Sequence, residues 1–186
     1  MTFARARALA IIGVVAMVAV VLVVAALVRD KQAGSLGGRC GPGDVRISTR
    51  LPAQSSIKLN IYNGTGERLT DQRIAGAVPD LAGRVAEALR AQGFPVNKVD
   101  ENPQKFDHVA RLSYGPKAVG AAAVVRGYFL NKADPGGFDV KRTDDLVDVT
   151  LGSAFTKLGS KTEVSQAWAA QGQPSPPPGT CDDGVR

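Results

Sequence analysis

The feature that most constrains this chain is an uninterrupted apolar run from residue 8 to residue 28. The run contains no charged side chain, and 13 of its residues are Leu, Ile or Val. At about 1.5 Å of rise per residue, a helix of this length spans roughly 30 Å, the thickness of the hydrocarbon core of a bilayer. A segment inside lipid must satisfy its own backbone hydrogen bonds. The sequence therefore predicts one membrane-spanning helix over 8–28.

Charged residues on both sides of the run indicate its orientation: Arg5, Arg7, Arg29, Asp30 and Lys31. The arginines before the run have no acidic residue among them, so the positive-inside bias favours a cytoplasmic N-terminus over 1–7. The rest of the chain is then expected outside the plasma membrane. A cleaved signal peptide is the alternative, but its apolar core is usually about 7 to 15 residues long and ends at a small-x-small site. This run is longer and has no convincing site nearby.

Segments rich in glycine and proline frame the middle of the chain. Residues 29–56 are crowded with glycine and are predicted to form a flexible stalk. Residues 159–186 combine a short predicted helix containing Trp168 with a proline-rich tail that runs to Cys181. A small globular domain is therefore expected over 57–158.

The charge of the outer part argues against nucleic acid as a partner. The chain has a formal charge of +6, but without the charges that flank the apolar run 19 basic and 16 acidic residues remain. Domains that bind nucleic acid normally cluster Lys and Arg on one face. The partner that the sequence itself indicates is the plasma membrane.

Strand and helix patterns alternate through residues 57–158. Apolar and polar side chains alternate over 57–61, as in a strand with one buried face. A helical apolar stripe follows, formed by Val78, Leu81, Ala82, Val85, Ala88 and Leu89. Pro79 either starts this helix or kinks a longer one that includes Ile74, and Gly93 is the predicted C-cap.

Later patterns complete the domain. We predict strands near 94–99 and 108–114, a helix opened by Pro116, a turn over 134–137, and strands over 138–142 and 146–151. The order is βαββαββ. Because both helices follow strand–helix–strand passages, we expect an α/β fold of the two-layer α+β sandwich type, with both helices on one face of a mixed sheet.

Several of these segments, taken in order, resemble a known domain. They are Ile57 to Gly66, the helix end Ala88 to Phe94, Tyr114-Gly115-Pro116, and Val147 to Gly152. They are similar to the LytR C-terminal domain family, in its standalone, membrane-anchored actinobacterial form. In that family the module follows the catalytic domain of enzymes that attach glycopolymers to peptidoglycan, or stands alone behind one transmembrane helix. The resemblance implies a role in envelope maintenance and offers no catalytic residues and no cofactor.

The sequence departs from the family pattern in two places. Ser153-Ala154-Phe155 stands where many members have small-x-Asp-Phe, so any role of that acidic residue is absent. The link over 67–78 is longer than the usual connection between turn and helix. Both departures affect the assignment to a sub-family more than the assignment to the domain family.

Cys40 and Cys181 are the two cysteines of the chain. Outside the cytoplasm, an even pair that flanks a domain is most simply a disulfide. A free thiol at each position or pairing between molecules are the alternatives. The bridge would tie the proline-rich tail back to the stalk.

The residues that most often carry catalysis do not form a recognisable pattern. His108 is the sole histidine and has no nucleophile motif near it, so a surface position at a strand end is the simpler interpretation. Asp144, Asp145 and Asp148 could in principle hold a cation or cleave a glycoside, but a turn cap and a solvent-facing strand explain them. We predict neither a metal site nor a catalytic residue. One histidine and two separated cysteines also exclude a structural zinc site.

The turn Asn63-Gly64-Thr65-Gly66 follows a strand but lacks the glycine and lysine pattern of a phosphate loop. A structural turn is the main interpretation. The alternative is ligand contact, in which exposed backbone amides beside Arg111 or Lys117 hold an anionic polymer. Tyr114 and Gly115 complete this set of candidate contact residues.

Three functions follow from these observations. The first is a non-enzymatic, membrane-anchored scaffold that supports envelope integrity by engaging glycopolymer-attaching enzymes of the LytR-CpsA-Psr type or another envelope-assembly protein. The second is direct binding of a cell-wall glycan or a lipid-linked precursor. The third, a hydrolase of an unrecognised type, has no motif to support it.

Overall fold

The structure is a computed structural model that describes residues 13, 16–23, 40–70, 73–102 and 104–182. It divides into two units, Met1–Arg39 and Cys40–Arg186. In the first unit, residues 13 and 16–23 are helical. The rest of the predicted span 8–28 and the predicted cytoplasmic segment 1–7 lie outside the described residues. Within the described part, none of the helices combines the length and apolar character needed to cross a bilayer.

The second unit consists of short strands and helices. In order they are β1 (Val45–Ile47), β2 (Lys58–Asn63), β3 (Glu67–Thr70), β4 (Arg73–Ala75), α1 (Leu81–Ala91), β5 (Val96–Glu101), β6 (Ala110–Tyr114), α2 (Val119–Tyr128), β7 (Asp134–Phe138), β8 (Leu146–Leu151), α3 (Lys161–Gln171) and β9 (Thr180–Asp182). Single 3-10 turns cover Gln54–Ser56 and Pro116–Ala118.

The centre of the unit is a five-stranded sheet in the order β5-β2-β8-β6-β7. β2 is parallel to β5 and β8, β6 is parallel to β7, and β6 and β8 are antiparallel. The sheet is therefore mixed, and the fold is a mixed α+β fold, as predicted. Without the β3–β4 hairpin, the order from β2 to β8 is the predicted βαββαββ.

One face of this sheet is buried beneath α1 and α2. Leu59 and Ile61 pair with Val147 and Val149, and all four side chains are completely buried. They share one hydrophobic core with the apolar stripes of both helices. Phe94, just after α1, meets Tyr128 of α2 edge to face, with ring centroids 5.0 Å apart. Both helices thus cover the same face, as their apolar spacing predicts.

The long link before the first helix forms the β3–β4 hairpin. Helix α1 begins at Leu81, so Pro79 lies outside it and neither starts nor kinks it. Asp80 precedes the helix with a left-handed φ of 51°. Gly93 ends this region with a φ of +93° and donates its N–H to Arg90 O at 2.9 Å, in agreement with the predicted C-cap.

The last helical connection differs from the sequence prediction. The predicted turn 134–137 belongs to strand β7, whereas most of the predicted strand 138–142 is a loop. β7 is an edge strand with a partner on one side, so it tolerates Pro135, which has no N–H to donate. A Cβ on Gly137 would collide with Leu112 O, so glycine permits the close pairing with β6.

Part of the predicted stalk belongs to the folded unit. β1 pairs in parallel with β9, and Ile47 is 3% exposed and joins the core. The 3-10 turn Gln54–Ser56 is held against α2, where Gln54 Nε2 donates to the Tyr128 hydroxyl at 2.5 Å. Residues 45–56 are thus structured and in contact with the domain.

Helix α3 packs against α2 and begins with a capping box. Ser160 Oγ accepts the Glu163 N–H, and Glu163 Oε2 accepts the Ser160 N–H at 2.8 Å. Trp168 Nε1 donates to Val124 O at 3.0 Å, and its ring meets Tyr128 edge to face. A Cβ on Gly127 would collide with the Trp168 indole, so this glycine allows the helices to approach.

The stabilisation that the capping box gives to α3 depends on pH in the acidic range. Hydrogen bonds from the Ser160 backbone and hydroxyl, and then from Lys157, lower the pKa of Glu163 to about 2. A carboxyl whose folded pKa is depressed contributes stability above its unfolded pKa, and this contribution is lost as pH falls toward the folded value. We expect the melting temperature to decrease from about pH 4.5 toward pH 2, and Glu163→Gln to remove this part of the decrease.

Circular dichroism and Trp168 fluorescence, recorded during melting between these pH values, check the expectation. Glu87→Gln removes an exposed carboxyl from α1 and serves as the matched control. An identical pH profile for Glu163→Gln and the wild type would show that the capping box does not titrate as described.

Candidate functional site

The turn Asn63 to Gly66 is buried and hydrogen-bonded within the fold. Asn63 Nδ2 donates to Val78 O at 2.9 Å and to Glu101 Oε1 at 3.2 Å. Asn63 Oδ1 accepts the Thr65 hydroxyl at 2.7 Å, and the same hydroxyl accepts Val78 N–H at 2.8 Å. Gly64 N–H donates to Leu151 O. The turn therefore joins β2 and β8 to the segment before α1, and the amides of Gly64 and Thr65 are already paired.

The other candidate contact residues lie at two ends of the sheet. Arg111 pairs with Thr150, near the end that carries the buried turn. Tyr114 pairs with Val147 at the opposite end, where Gly115 and Lys117 follow. The structure therefore does not bring the predicted contact residues together in one site.

Cys40 and Cys181 form a disulfide with a Cα–Cα distance of 5.4 Å, as predicted. The bridge lies beside the β1–β9 ladder, in which Arg46 pairs with Cys181. Together they fasten the end of the proline-rich tail to the beginning of the folded unit.

The acidic residues singled out in the sequence form ion pairs. Arg142 Nη1 lies 2.8 Å from Asp148 Oδ2, and its Nε lies 2.9 Å from Asp144 Oδ1. Asp145 Oδ2 lies 2.8 Å from Lys58 Nζ, and this hydrogen bond lowers the pKa of Asp145. His108 is exposed at a turn beside Phe106. Over the described ranges, no three His, Cys, Asp or Glu side chains are grouped to hold a metal ion.

We call the side of the sheet opposite α1 and α2 the open face. It carries Lys58, Asn60, Tyr62, Lys98, Asp100, Arg111, Ser113, Asp148 and Thr150. Its cations are paired with acids across short distances: Lys58 with Asp145, Lys98 with Asp100 at 2.9 Å, and Arg111 with Asp134 at 3.5 Å. Lys98 also lies over the Tyr62 ring, 5.6 Å from its centroid. The open face is thus polar, close to charge-balanced, and provided with an aromatic side chain.

A cavity of about 770 Å³ lies on the other side of the sheet. We call it the tail groove, since the proline-rich tail forms one wall. The opposite walls come from β6, β7 and α2. Its apolar lining includes Leu112, Val119, Ala122, Phe138, Val140, Pro174, Pro177 and Pro178.

Of the polar side chains that line the tail groove, three are buried or partly buried: Tyr114, Arg126 and Gln171. Asp139, Gln173 and Ser175 lie at its exposed rim. Burial raises the pKa of the Tyr114 hydroxyl, while the charge of Arg126 acts in the opposite direction. Arg126 Nε and Gln171 Oε1 are buried and have no hydrogen-bond partner among the described residues. The groove therefore combines apolar walls with an unpaired donor and an unpaired acceptor.

A second cavity of about 510 Å³ lies beside Lys117. Arg50, Ser48 and Ser56 contribute to its walls, and Gly120 forms part of its floor. Arg50 and Lys117 make no ion pair with another described residue. We call this the Lys117 cavity.

Sequence reasoning missed both Arg126 and Gln171. Arg126 interrupts a helix of small apolar residues, and a charged residue within an otherwise apolar stretch is a signal that could have been followed. Gln171 had no such signal, because its position depends on how α3 packs against α2. Its Nε2 donates to Ala123 O at 3.4 Å.

The fold defines a small mixed α+β module. The family model described as LytR cell envelope-related transcriptional attenuator matches residues 56–155, more than half of the chain. The chain belongs to this family, the LytR C-terminal domain family, which confirms the resemblance drawn from the sequence. Membership fits an extracytoplasmic, non-enzymatic module.

A solved structure is also similar to the chain. It is the soluble domain of a conserved hypothetical secreted protein from Mycobacterium marinum, with 24% sequence identity and a TM-score of 0.47. The match covers 68% of this chain and 84% of that chain. No curated protein matches the sequence.

Proposed function

We propose that this chain is a non-enzymatic module, anchored in the plasma membrane by residues 8–28, that supports cell-envelope integrity as a scaffold for glycopolymer-attaching enzymes. Membership in the LytR C-terminal domain family supports the envelope role. The disulfide supports a location outside the cytoplasm, because such bridges persist in oxidising compartments. The apolar run without charges supports the anchor.

The observation that carries the scaffold role is the charge pairing of the open face. An anionic wall polymer would be bound by cations that are free to meet its charges. On the open face, Lys58, Lys98 and Arg111 already meet carboxylates. Tyrosine and arginine, which are enriched at protein interfaces, are both present on this face as Tyr62 and Arg111. The open face is the surface that we assign to the partner enzyme.

Affinity purification of the tagged, full-length protein from detergent-solubilised membranes of its host tests this assignment. We expect an enzyme of the LytR-CpsA-Psr type to be recovered with the wild type. The double variant Tyr62→Ala, Lys98→Glu removes the aromatic contact and reverses a charge on the neighbouring edge strand β5. Recovery should fall by roughly tenfold or more, as for an aromatic hot-spot residue of an interface.

Lys132→Glu is the matched control, because it reverses an exposed charge after α2 and away from the open face. It should leave recovery unchanged. Equal recovery with all three proteins, or no such enzyme with the wild type, would contradict the scaffold role.

A second candidate function is direct binding of an anionic wall glycan or lipid-linked precursor. The Lys117 cavity favours it, since Arg50 and Lys117 lie beside two serines and make no ion pair with another residue that the structure describes. Retention of purified wall polymer by the protein, lost in Arg50→Glu, Lys117→Glu and kept in Tyr62→Ala, Lys98→Glu, would place this function first.

A further inference from the structure

The tail groove has the features of a ligand site that is independent of the open face. Its volume of about 770 Å³ falls in the usual range for small-molecule sites, roughly 300 to 1,000 Å³. Such sites are mostly apolar and contain a few convergent polar groups. The groove has this composition, and it lies on the side of the sheet that faces α2.

The unpaired polar groups of the tail groove determine which polar head group a ligand needs. A buried polar atom without a partner costs about 1 to 3 kcal/mol, so a ligand that supplies the partner gains affinity. Arg126 Nε lacks an acceptor, while Nη2 donates to Asn131 O at 3.4 Å. The guanidinium forms no ion pair within the described part of the chain. An anionic oxygen satisfies both its hydrogen bond and its charge.

Gln171 Oε1 adds a second requirement. This buried oxygen is an acceptor without a donor among the described residues, while the amide nitrogen is already committed to Ala123 O. A head group that also carries a hydroxyl would supply that donor. Asp139 lies at the exposed rim, where it accepts Lys141 N–H, and it forms no ion pair with Arg126.

The walls specify the rest of the ligand. Leu112, Val119 and Phe138 form an apolar side, and the prolines of the tail lie across from it. An apolar chain is the complement of these walls, since burial stabilises it by about 25 cal/mol per Å². Beside a membrane, the amphiphile present in the greatest excess is a membrane phospholipid, and mass action favours the most abundant ligand.

We propose that the tail groove binds an anionic phospholipid, with one acyl chain along the apolar walls and a hydroxyl-bearing phosphate head at Arg126 and Gln171. The choice of a membrane lipid depends on the anchored location of the proposed function. The binding itself does not, because the groove and the open face lie on opposite sides of the sheet.

Trp168 is the sole tryptophan of the chain and provides the readout. It precedes Gln171 by three residues on α3, and both side chains donate to neighbouring carbonyls of α2, those of Val124 and Ala123. A bromine on the bound acyl chain should therefore quench its fluorescence. The probe is lysophosphatidylglycerol with a brominated chain, titrated into the full-length protein in maltoside micelles.

We expect saturable quenching with the wild type. Arg126→Met keeps an apolar stem but removes the charge, and it should raise the Kd about tenfold or more. Gln171→Leu should weaken binding in the same direction. Lys98→Met removes a charge from the open face and should leave the Kd unchanged. Melting curves establish whether each variant is folded. If Arg126→Met does not fold, Gln171→Leu still tests the proposal.

Several results would overturn the proposal. Linear, unsaturable quenching would indicate partition into the micelle only. Equal binding of brominated monoacylglycerol, which lacks the phosphate, would refute the role of the charge. Displacement by farnesyl phosphate with no displacement by unlabelled lysophosphatidylglycerol would replace the membrane phospholipid with an isoprenoid ligand. Equal recovery of the partner enzyme with the wild type and with Tyr62→Ala, Lys98→Glu would contradict the scaffold role alone and would leave this measurement unaffected.

Discussion

Replacing Cys40 and Cys181 together by serine should lower the free energy of unfolding by up to about 5 kcal/mol. The bridge closes a loop with a sequence separation of 141 residues. In the chain-entropy model, a cross-link over a loop of this length removes that much conformational freedom from the unfolded chain. Native contacts of the five-stranded sheet are untouched by the change, so the effect arises mainly in the unfolded state.

Denaturant unfolding of the double variant, followed by circular dichroism, measures this loss. A reducing agent should shift the unfolding midpoint of the wild type toward that of the double variant. It should leave the midpoint of the double variant unchanged. If the midpoints of the oxidised wild type and the double variant coincided, the covalent link would have no part in the stability of the domain.

Asn63→Ala should lower the free energy of unfolding by about 3 kcal/mol, which is large for one polar side chain. Its amide is completely buried and connects Thr65, Val78 and Glu101. Truncation leaves the carbonyl of Val78 and the hydroxyl of Thr65 short of partners inside the protein. Thermal and denaturant melts provide the measurement.

Asn97→Ala removes the same amide from an exposed position on β5 and should change stability by no more than about 0.5 kcal/mol. A different result for Asn63→Ala would change the interpretation of the turn. If Asn63→Ala kept the wild-type stability yet lost affinity for purified wall polymer, the turn would contact a ligand, and its role as a buried hub would be wrong.

Periodic patterns in the sequence were enough to predict the central architecture. The alternation over 57–61 and the stripes of both helices each report one buried face, and these faces meet in a single core. The disulfide was predictable from the number and position of the cysteines. These features are visible in sequence because each depends on local spacing or on the chemistry of one residue type.

Edge and tertiary features were not predictable in the same way. Asp134 to Gly137 has the composition of a turn, yet it forms an edge strand, because a strand with one partner tolerates proline and glycine. The β3–β4 hairpin lies in a link that was recognised only as long. The tail groove arises where α2, β7 and the proline-rich tail meet, and no local pattern records which residues those distant segments bring together.

The position of the bridge near both ends of the folded unit has a mechanical consequence. Residues 41–180 form a loop that is closed covalently, so tension applied between the chain before Cys40 and the chain after Cys181 passes through the sulfur atoms. The hydrogen bonds of the five-stranded sheet bear none of that load while the bridge is intact. A force applied to the chain after Cys181 would therefore leave the open face and the tail groove undistorted.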